Sequence, residues 1–263
     1  MAGFDDIWRK LASSISVLLL ISITLIPIGA LIWLVLFTDT FVIQAITVTD
    51  ARAHTIDSAK SIINEEVQRS PLGQKIFFVQ TDLIEMRLLS ELPQVSTAHA
   101  IRKLPGTLMV VLQEKKPTLL LFARGDYYLV DEAGMPYEEA RLDRLPDVAL
   151  PTVKSSDELS RIELGTPALA PDFVKFVLFV QEALPASTGA NVAEIRIPSL
   201  AAREVHFQLD NNWLVRFDVS RDPNQQLKAM RRVTDEILSE DEKETLEYID
   251  LRIQNKVYYK TRV

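Results

Sequence analysis

The sequence has no cysteine, three histidines and eight glycines among its 263 residues. Without cysteine it can form no disulfide, thiolate metal site or cysteine nucleophile. The histidines His54, His99 and His206 are far apart, and none has a metal-ligand partner at the usual spacing. The glycines form no phosphate-binding loop, and no serine stands in a nucleophile-elbow motif. We therefore expect no catalytic residue, metal or cofactor, although two carboxylates could still meet in the folded chain.

Acidic residues exceed basic ones, with 36 Asp and Glu against 29 Lys and Arg and a formal net charge of −7. Such a surface repels nucleic acid, whose binding depends on basic side chains that neutralise phosphates. We expect no nucleic-acid partner.

Residues 11–37 contain no charged side chain. As a helix, at about 1.5 Å per residue, this run would span about 40 Å, which exceeds the bilayer core of about 30 Å. It is too long for the apolar part of a signal peptide, so we interpret it as a retained transmembrane helix. Arg9 and Lys10 precede the run, whereas Arg52 is the nearest basic residue after it. This asymmetry predicts a cytoplasmic stub over residues 1–10 and an extracytoplasmic remainder.

Residues 41–116 have the pattern of a small α+β unit. Leu104-Pro105-Gly106 is typical of a tight turn and predicts a hairpin between two extended runs. The expected elements are a strand over 41–49, a helix over 56–67, a short strand over 76–79, a helix from Thr81 or Asp82 to Leu92, and strands over 98–103 and 107–113.

Residues 117–263 change to short strands with alternating apolar residues, which predicts a β-rich domain. The Asn211-Asn212 pair favours a hairpin turn because asparagine tolerates positive φ. A helix is expected over 173–184, ended by Pro185, and a last helix from Asp222 or Pro223 to about Leu238. We expect this terminal helix to pack on an antiparallel sheet, with loop and short strands over 138–171.

The order and spacing of several motifs resemble those of the FtsQ/DivIB family of bacterial cell-division proteins. In the first block they are Leu92-Pro93 with Val95, Arg102 with Leu104-Pro105 and Thr107-Leu108, and Glu114-Lys115-Lys116-Pro117. In the second block they are Val130-Asp131 before a glycine turn and the closing run Tyr248-Ile249-Asp250-Leu251-Arg252. The family usually has an aromatic residue at Leu104, arginine at Lys115 and tyrosine at Ile253.

The resemblance implies a POTRA domain of β-α-α-β-β type over 41–116 and a C-terminal β domain over 117–263. It also implies a non-enzymatic divisome scaffold, without a small-molecule substrate, in the cytoplasmic membrane at the division septum. By the same resemblance, its last strand captures the FtsB (DivIC) partner, itself paired with FtsL, by β-strand addition. The POTRA domain would offer a second surface to other divisome components.

The final run 256–263 alternates charged or aromatic side chains with less polar ones, as an edge strand does. We expect it to end a meander, with Ile249, Leu251 and Ile253 of the preceding strand buried. Basic side chains on this edge favour an acidic incoming segment, although a solvated edge without a partner is the alternative. The predicted partner-binding residues are Arg252, Ile253, Lys256, Val257, Tyr258, Tyr259, Lys260 and Arg262.

Two other functions compete with the scaffold interpretation. POTRA domains also occur in envelope secretion and assembly components, but an anchor helix is untypical of that class. A membrane-tethered cell-wall enzyme would need a nucleophile or a metal set, and the sequence shows neither. The sequence therefore favours the division scaffold.

Overall fold

The computed structural model describes residues 21–69, 72, 74–140, 150–157 and 161–262. The chain divides into two compact units, Met1–Glu114 and Lys115–Val263. Each unit has its own cluster of buried apolar side chains.

The described part of the first helix, α1, covers residues 21–37. A single 3-10 turn, Asp39–Phe41, follows it. Within the described ranges no helix combines the length and apolar character that crossing a bilayer requires. The predicted stub over 1–10 and the first part of the predicted transmembrane run 11–37 lie outside the described residues, so the membrane span stays a prediction.

The first unit contains a three-stranded sheet in the order β1-β3-β2, with β1 parallel to β3 and β2 antiparallel to it. Two helices pack on one face of this sheet through buried residues such as Ile63 on one helix and Leu88 on the other. The elements are β1 (Ala45–Thr49), α2 (Ala53–Arg69), α3 (Thr81–Glu91), β2 (Val95–Lys103) and β3 (Thr107–Glu114).

The predicted helices and hairpin are present, but the short strand predicted over 76–79 is wrong. These residues form turns, held to the chain ahead of β1 by an isolated bridge between Val42 and Lys75. Ile76 and Val79 are 0% and 3% exposed. The apolar residues correctly indicated burial, but the buried segment is a turn and not a strand. A short apolar run has no periodicity that distinguishes a buried strand from another buried conformation.

The second unit contains a nine-stranded sheet in the order β12-β11-β10-β9-β8-β7-β4-β5-β6. Its first strands are β4 (Leu119–Ala123), β5 (Asp126–Val130), β6 (Pro136–Ala140) and β7 (Thr152–Ser155). Helix α4 (Pro171–Thr188) precedes β8 (Val192–Ile197), β9 (Glu204–Leu209) and β10 (Leu214–Asp218). The chain ends with α5 (Pro223–Glu236), α6 (Glu240–Glu244), β11 (Leu246–Asp250) and β12 (Tyr258–Thr261).

The sheet is mixed rather than antiparallel, which corrects the prediction. Strand β7 runs parallel to both β4 and β8, and β10 runs parallel to β11. Helices α5 and α6 lie between β10 and β11 in the chain, and such a crossover returns the next strand in the same direction. The last strands therefore do not form a meander. The predicted hairpin between β9 and β10 is present, with Asn212 at φ 69°.

Helix α4 continues through Pro185, where the sequence predicted its end. Val180 and Leu184 are fully buried in the core of the second unit, so packing holds this turn in helical form. Gly189, at φ 71°, then ends the helix, and its N–H donates to the carbonyl of Pro185. Buried contacts outweigh the hydrogen bond that proline cannot make.

Candidate functional site: the β12 edge

The last strand, β12, lies at one end of the nine-stranded sheet and pairs only with β11 among the described strands. The register places Tyr258 opposite Asp250, Tyr259 opposite Ile249 and Lys260 opposite Tyr248. The sequence predicted an edge position for this segment, and the sheet order confirms it. The other side of β12 therefore displays backbone groups that could pair with an added strand.

Alternation along the strands shows which β12 residues turn their backbone groups outward. The N–H of Leu251 donates to Arg216 in β10, so the backbone groups of Ile249 also point toward β10. Those of Tyr248 and Asp250 point toward β12. Beyond the register shift near Leu246, the Arg262 N–H donates to the Thr245 carbonyl, so Arg262 faces β11. By the same period of two, Tyr258 and Lys260 face β11. Tyr259 and Thr261 direct their N–H and C=O groups to the open side.

Only part of the predicted partner-binding set lies in β12. Tyr258 and Tyr259 are 51% and 39% exposed, and Lys260 is exposed beside them. Lys256 and Val257 precede the strand, and Val257 packs partly against the core of the second unit. Arg262 follows the strand and is exposed.

Ile253 is 50% exposed, so the prediction that it is buried with Ile249 and Leu251 is wrong. The regular alternation ends because β11 ends at Asp250 and the chain turns toward β12. Ile253 lies in that turn, where its carbonyl accepts from the Lys256 N–H. A period-two pattern in the sequence could not reveal where the extended backbone stops.

Lys260 is held across the strand pair by an ion pair with Glu247, with Nζ and Oε2 2.7 Å apart. The hydrogen bond to Glu247 raises the pKa of Lys260, and the same bond lowers the pKa of Glu247. Both side chains are largely solvated, so the pair orients the lysine more than it stabilises the fold.

Arg252 forms ion pairs within the second unit. Its guanidinium lies 2.6 Å from Asp250 Oδ2 and also bonds Glu204 of β9. Arg216 of β10 approaches the same Asp250 oxygen at 3.7 Å and stacks over the Tyr248 ring at 4.7 Å. The closing Asp-Leu-Arg motif therefore fastens the end of β11 to its neighbours.

Burial and the charges around Arg252 shift the pKa values of Asp250 and His206. Burial alone would raise the pKa of Asp250, but the hydrogen bonds from Arg252 more than offset it and the pKa lies below its usual value. Burial lowers the pKa of His206. The positive charges of Arg216 and Arg252 lower it further, whereas the negative charge of Glu204 raises it. His206 Nε2 lies 3.4 Å from Glu204 Oε1 without a hydrogen bond. His206 is therefore neutral near neutral pH.

Beside β12 an open groove of about 880 Å³ runs between α5 and the turn that joins β11 to β12. Ile237 and Ile253, 57% and 50% exposed, provide apolar surface along it. Its basic lining residues are Arg221, Lys228, Arg231, Arg232 and Lys256, against the acids Asp235 and Glu236. The groove therefore combines apolar contact area with a positive local charge, although the whole chain has a formal net charge of −7.

Sequence reasoning missed this groove, although its signal was present. The basic residues of α5 recur at Lys228, Arg231 and Arg232, so they share one helix face at spacings of three and four. What the sequence could not supply was the turn after β11 that forms the opposite wall.

The described residues contain no group of three or more histidine, aspartate or glutamate side chains placed to hold a metal ion. The β12 edge offers open backbone groups, apolar surface and basic side chains.

Replacing Arg252 by alanine is expected to lower the unfolding free energy of the second unit by about 1 to 3 kcal/mol near pH 7. The variant leaves Asp250, 8% exposed, without its main partner, and the partial exposure of Arg252 limits the loss. Asp250 has a lowered pKa, so its contribution is present above the usual aspartate pKa and disappears as pH falls. The deficit should therefore shrink toward about pH 3. Urea unfolding followed by Trp213 fluorescence, at pH 7 and at low pH, measures the loss of unfolding free energy and its decrease with pH.

Arg252→Lys is the matched control, because it keeps the charge and loses the two-pronged geometry. It should show an intermediate loss. If alanine and wild type unfold alike at neutral pH, Arg252 does not fasten β11.

Curated proteins similar to this chain are cell-division proteins named FtsQ. The one from Streptomyces griseus is 28% identical over 147 residues, which cover 56% of this chain and 68% of that protein. The one from Streptomyces venezuelae is 31% identical over 133 residues, 49% of this chain and 46% of that protein. The one from Novosphingobium aromaticivorans is 32% identical over 106 residues, 38% and 33% respectively.

The chain is thus similar to cell-division proteins of the FtsQ/DivIB family. The relationship predicted from the order of the motifs is thereby confirmed. No protein-family profile matches the chain. Most of these alignments span about half or less of the FtsQ relatives they match, and the longest spans 68%.

Two of the sequence motifs meet in the fold of this chain. Lys115, of the Glu-Lys-Lys-Pro motif, forms an ion pair with Asp131, of the Val-Asp turn, at 2.8 Å. Asp131 also accepts from the N–H groups of Ala133 and Met135. These contacts join the first residue of the second unit to the turn after β5, so both motifs are explained by one structural contact.

Proposed function

We propose that this chain is a divisome scaffold that captures another membrane division protein by strand addition along the outer side of β12. The observation that carries the proposal is the open side of β12, where Tyr259 directs its backbone groups outward beside the basic groove. Main-chain pairing would supply affinity, and the groove would supply selectivity. This function is binding and requires no catalytic group.

The partner that fits is an FtsB (DivIC)-like protein, itself paired with an FtsL-like protein. Its docking segment should be extended where it meets β12 and acidic where it reaches the groove. Among the described residues, Lys228 and Lys256 have no ion-pair partner, so they can meet carboxylates of an incoming chain. Complementary charge of this kind mainly raises the association rate and selects the partner.

The first unit has the β-α-α-β-β order of a POTRA domain, and we propose that it acts as one. It would offer a second surface to other divisome components. We further propose a single-pass protein of the cytoplasmic membrane at the division septum, with residues 11–37 as the span. Residues 1–10 would then be cytoplasmic and both units extracytoplasmic.

Anchoring would make a modest strand-addition affinity sufficient. When both partners are held in the same membrane, the docking step takes place at a high effective concentration. Tethering of this kind also lets one scaffold gather several partners without a very stable interface.

Depletion of this protein from a rod-shaped bacterial host is expected to produce long undivided filaments. Loss of the scaffold would leave the other membrane division proteins unrecruited, while growth continues. Phase-contrast measurement of cell length during depletion tests this, with re-expression of the intact chain as the control. Normal cell length after complete depletion would contradict a role in division and favour an envelope assembly function.

A further inference from the structure

The end of the first unit where the chain arrives from α1 has an unusual surface. The starts of β1 and β3 lie at this end, since Ala45 pairs with Thr107, and β2 finishes there, since Lys103 pairs with the same residue. Two turns also meet here: one over 74–78 and one formed by Leu104-Pro105-Gly106. We call this surface the α1-side rim.

Hydrogen bonds tie the rim directly to the segment that leaves α1. The N–H of Ile76 donates to the Phe41 carbonyl at 2.8 Å, and the N–H of Gln44 donates to the Gly106 carbonyl at 2.8 Å. The Lys75 ammonium bonds the Thr38 carbonyl one residue after α1. The position of the rim relative to the end of α1 is therefore fixed by contacts on both turns.

The rim exposes large apolar side chains. Phe77 and Phe78 are 42% and 43% exposed, and Leu104 is 61% exposed. The ring of Phe77 also packs on Phe41, with centroids 4.9 Å apart, so it is held in place rather than free to fold inward. Phe37, at the end of α1, is 72% exposed and extends the apolar surface.

Basic side chains surround this apolar surface. Lys75, Arg102 and Lys103 lie at the rim, against Asp39 and Asp82. Arg102 is fixed there by a hydrogen bond from its guanidinium to the Val79 carbonyl at 2.8 Å. Aromatic and aliphatic residues bordered by basic ones are typical of surfaces at the boundary between hydrocarbon and lipid headgroups.

We propose that the α1-side rim rests in the headgroup layer of the bilayer, with Phe77, Phe78 and Leu104 immersed and the basic residues on anionic lipid phosphates. The proposal rests on the membrane anchoring proposed above, since it adds a second lipid contact beside α1. The lipid surface is the occupant that fits because the rim is tied by hydrogen bonds to the segment directly after α1, whose own side chains are exposed and apolar. This contact would fix the orientation of the first unit relative to the membrane.

The absence of cysteine makes a direct test possible, because single-cysteine variants can be labelled with an environment-sensitive fluorophore. Leu104→Cys places the label on the rim. Ser96→Cys, exposed near the opposite end of β2, is the matched control. Gly29→Cys, which has open space around it, reports on α1 itself. Each full-length variant is reconstituted in phosphatidylethanolamine–phosphatidylglycerol vesicles that contain lipids with a nitroxide quencher near the headgroup.

The label at position 104 should be quenched at least twofold more than the label at position 96, and less strongly when phosphatidylcholine replaces the anionic lipid. Equal quenching at 104 and 96, with strong quenching at 29, would overturn the rim contact and leave the anchor standing. Absence of quenching at 29 would overturn the anchor, and the rim proposal would fall with it.

Discussion

Replacing Tyr259 by proline should weaken binding of the FtsB-like and FtsL-like pair by about tenfold to a hundredfold, or about 1.4 to 2.8 kcal/mol. Tyr259 directs its N–H to the open side of β12, so proline removes a donor that an added strand would use. The ring would also obstruct the approach of the partner backbone. The ladder to β11 is formed by its neighbours and should remain. Titration of the purified full chain with the partner pair measures the loss.

Tyr259→Ala separates the backbone from the side chain. It keeps the outward N–H and removes the ring, so its affinity should fall less than that of the proline variant. Thermal unfolding of both variants should match wild type, because β12 contributes little buried surface. If proline and alanine weaken binding equally, strand addition at this edge is wrong and the partner uses side chains alone.

Replacing Phe217 by alanine should lower the unfolding free energy of the second unit by about 3 to 5 kcal/mol. Phe217 is fully buried in β10 and meets Phe176 and Phe207 edge-to-face, with ring centroids 5.9 and 5.6 Å apart. The substitution would leave a cavity between α4 and β10, the strand next to β11. Partner binding should fall as well, because the site depends on the end of this sheet.

Trp213 provides the readout, since it is 7% exposed and its indole N–H donates to the Lys243 carbonyl at 3.0 Å. Urea unfolding followed by its fluorescence reports on the second unit. Phe179→Ala is the control of the same chemistry, because Phe179 lies on α4 with 39% of its surface exposed. Its effect should be within about 0.5 kcal/mol. Similar losses in both variants would contradict the assignment of Phe217 to the centre of the core.

Local patterns in the sequence were reliable where one signal dominated. Leu104-Pro105-Gly106 marked the hairpin turn, and Asn211-Asn212 marked another, because few residues suit those backbone conformations. The helical stripe that includes Ile63 predicted α2 for the same reason. The predictions were wrong where the burial of a residue does not reveal its backbone conformation. Ile76 is buried in a turn, and the helix around Pro185 persists because its neighbours are buried.

The edge position of β12 was predictable, but the set of residues around it was only partly so. Tyr258, Tyr259 and Lys260 lie in β12, whereas Arg252 is used to hold β11 in the sheet. That difference depends on Glu204, which is 48 residues away in the sequence. No spacing rule reveals such a partner.

The sequence by itself determined the uncharged run at 11–37, the absence of cysteine chemistry and the likeness to FtsQ proteins, because each depends on residue identity or local order. The tertiary structure decided the mixed direction of the sheet, the two walls of the groove beside β12 and the apolar rim next to α1. These features depend on contacts between distant residues, and a crossover or a turn can bring such residues together from many positions. The missing cysteines exclude cysteine chemistry, and the open side of β12 is the physical basis of the proposed function in binding.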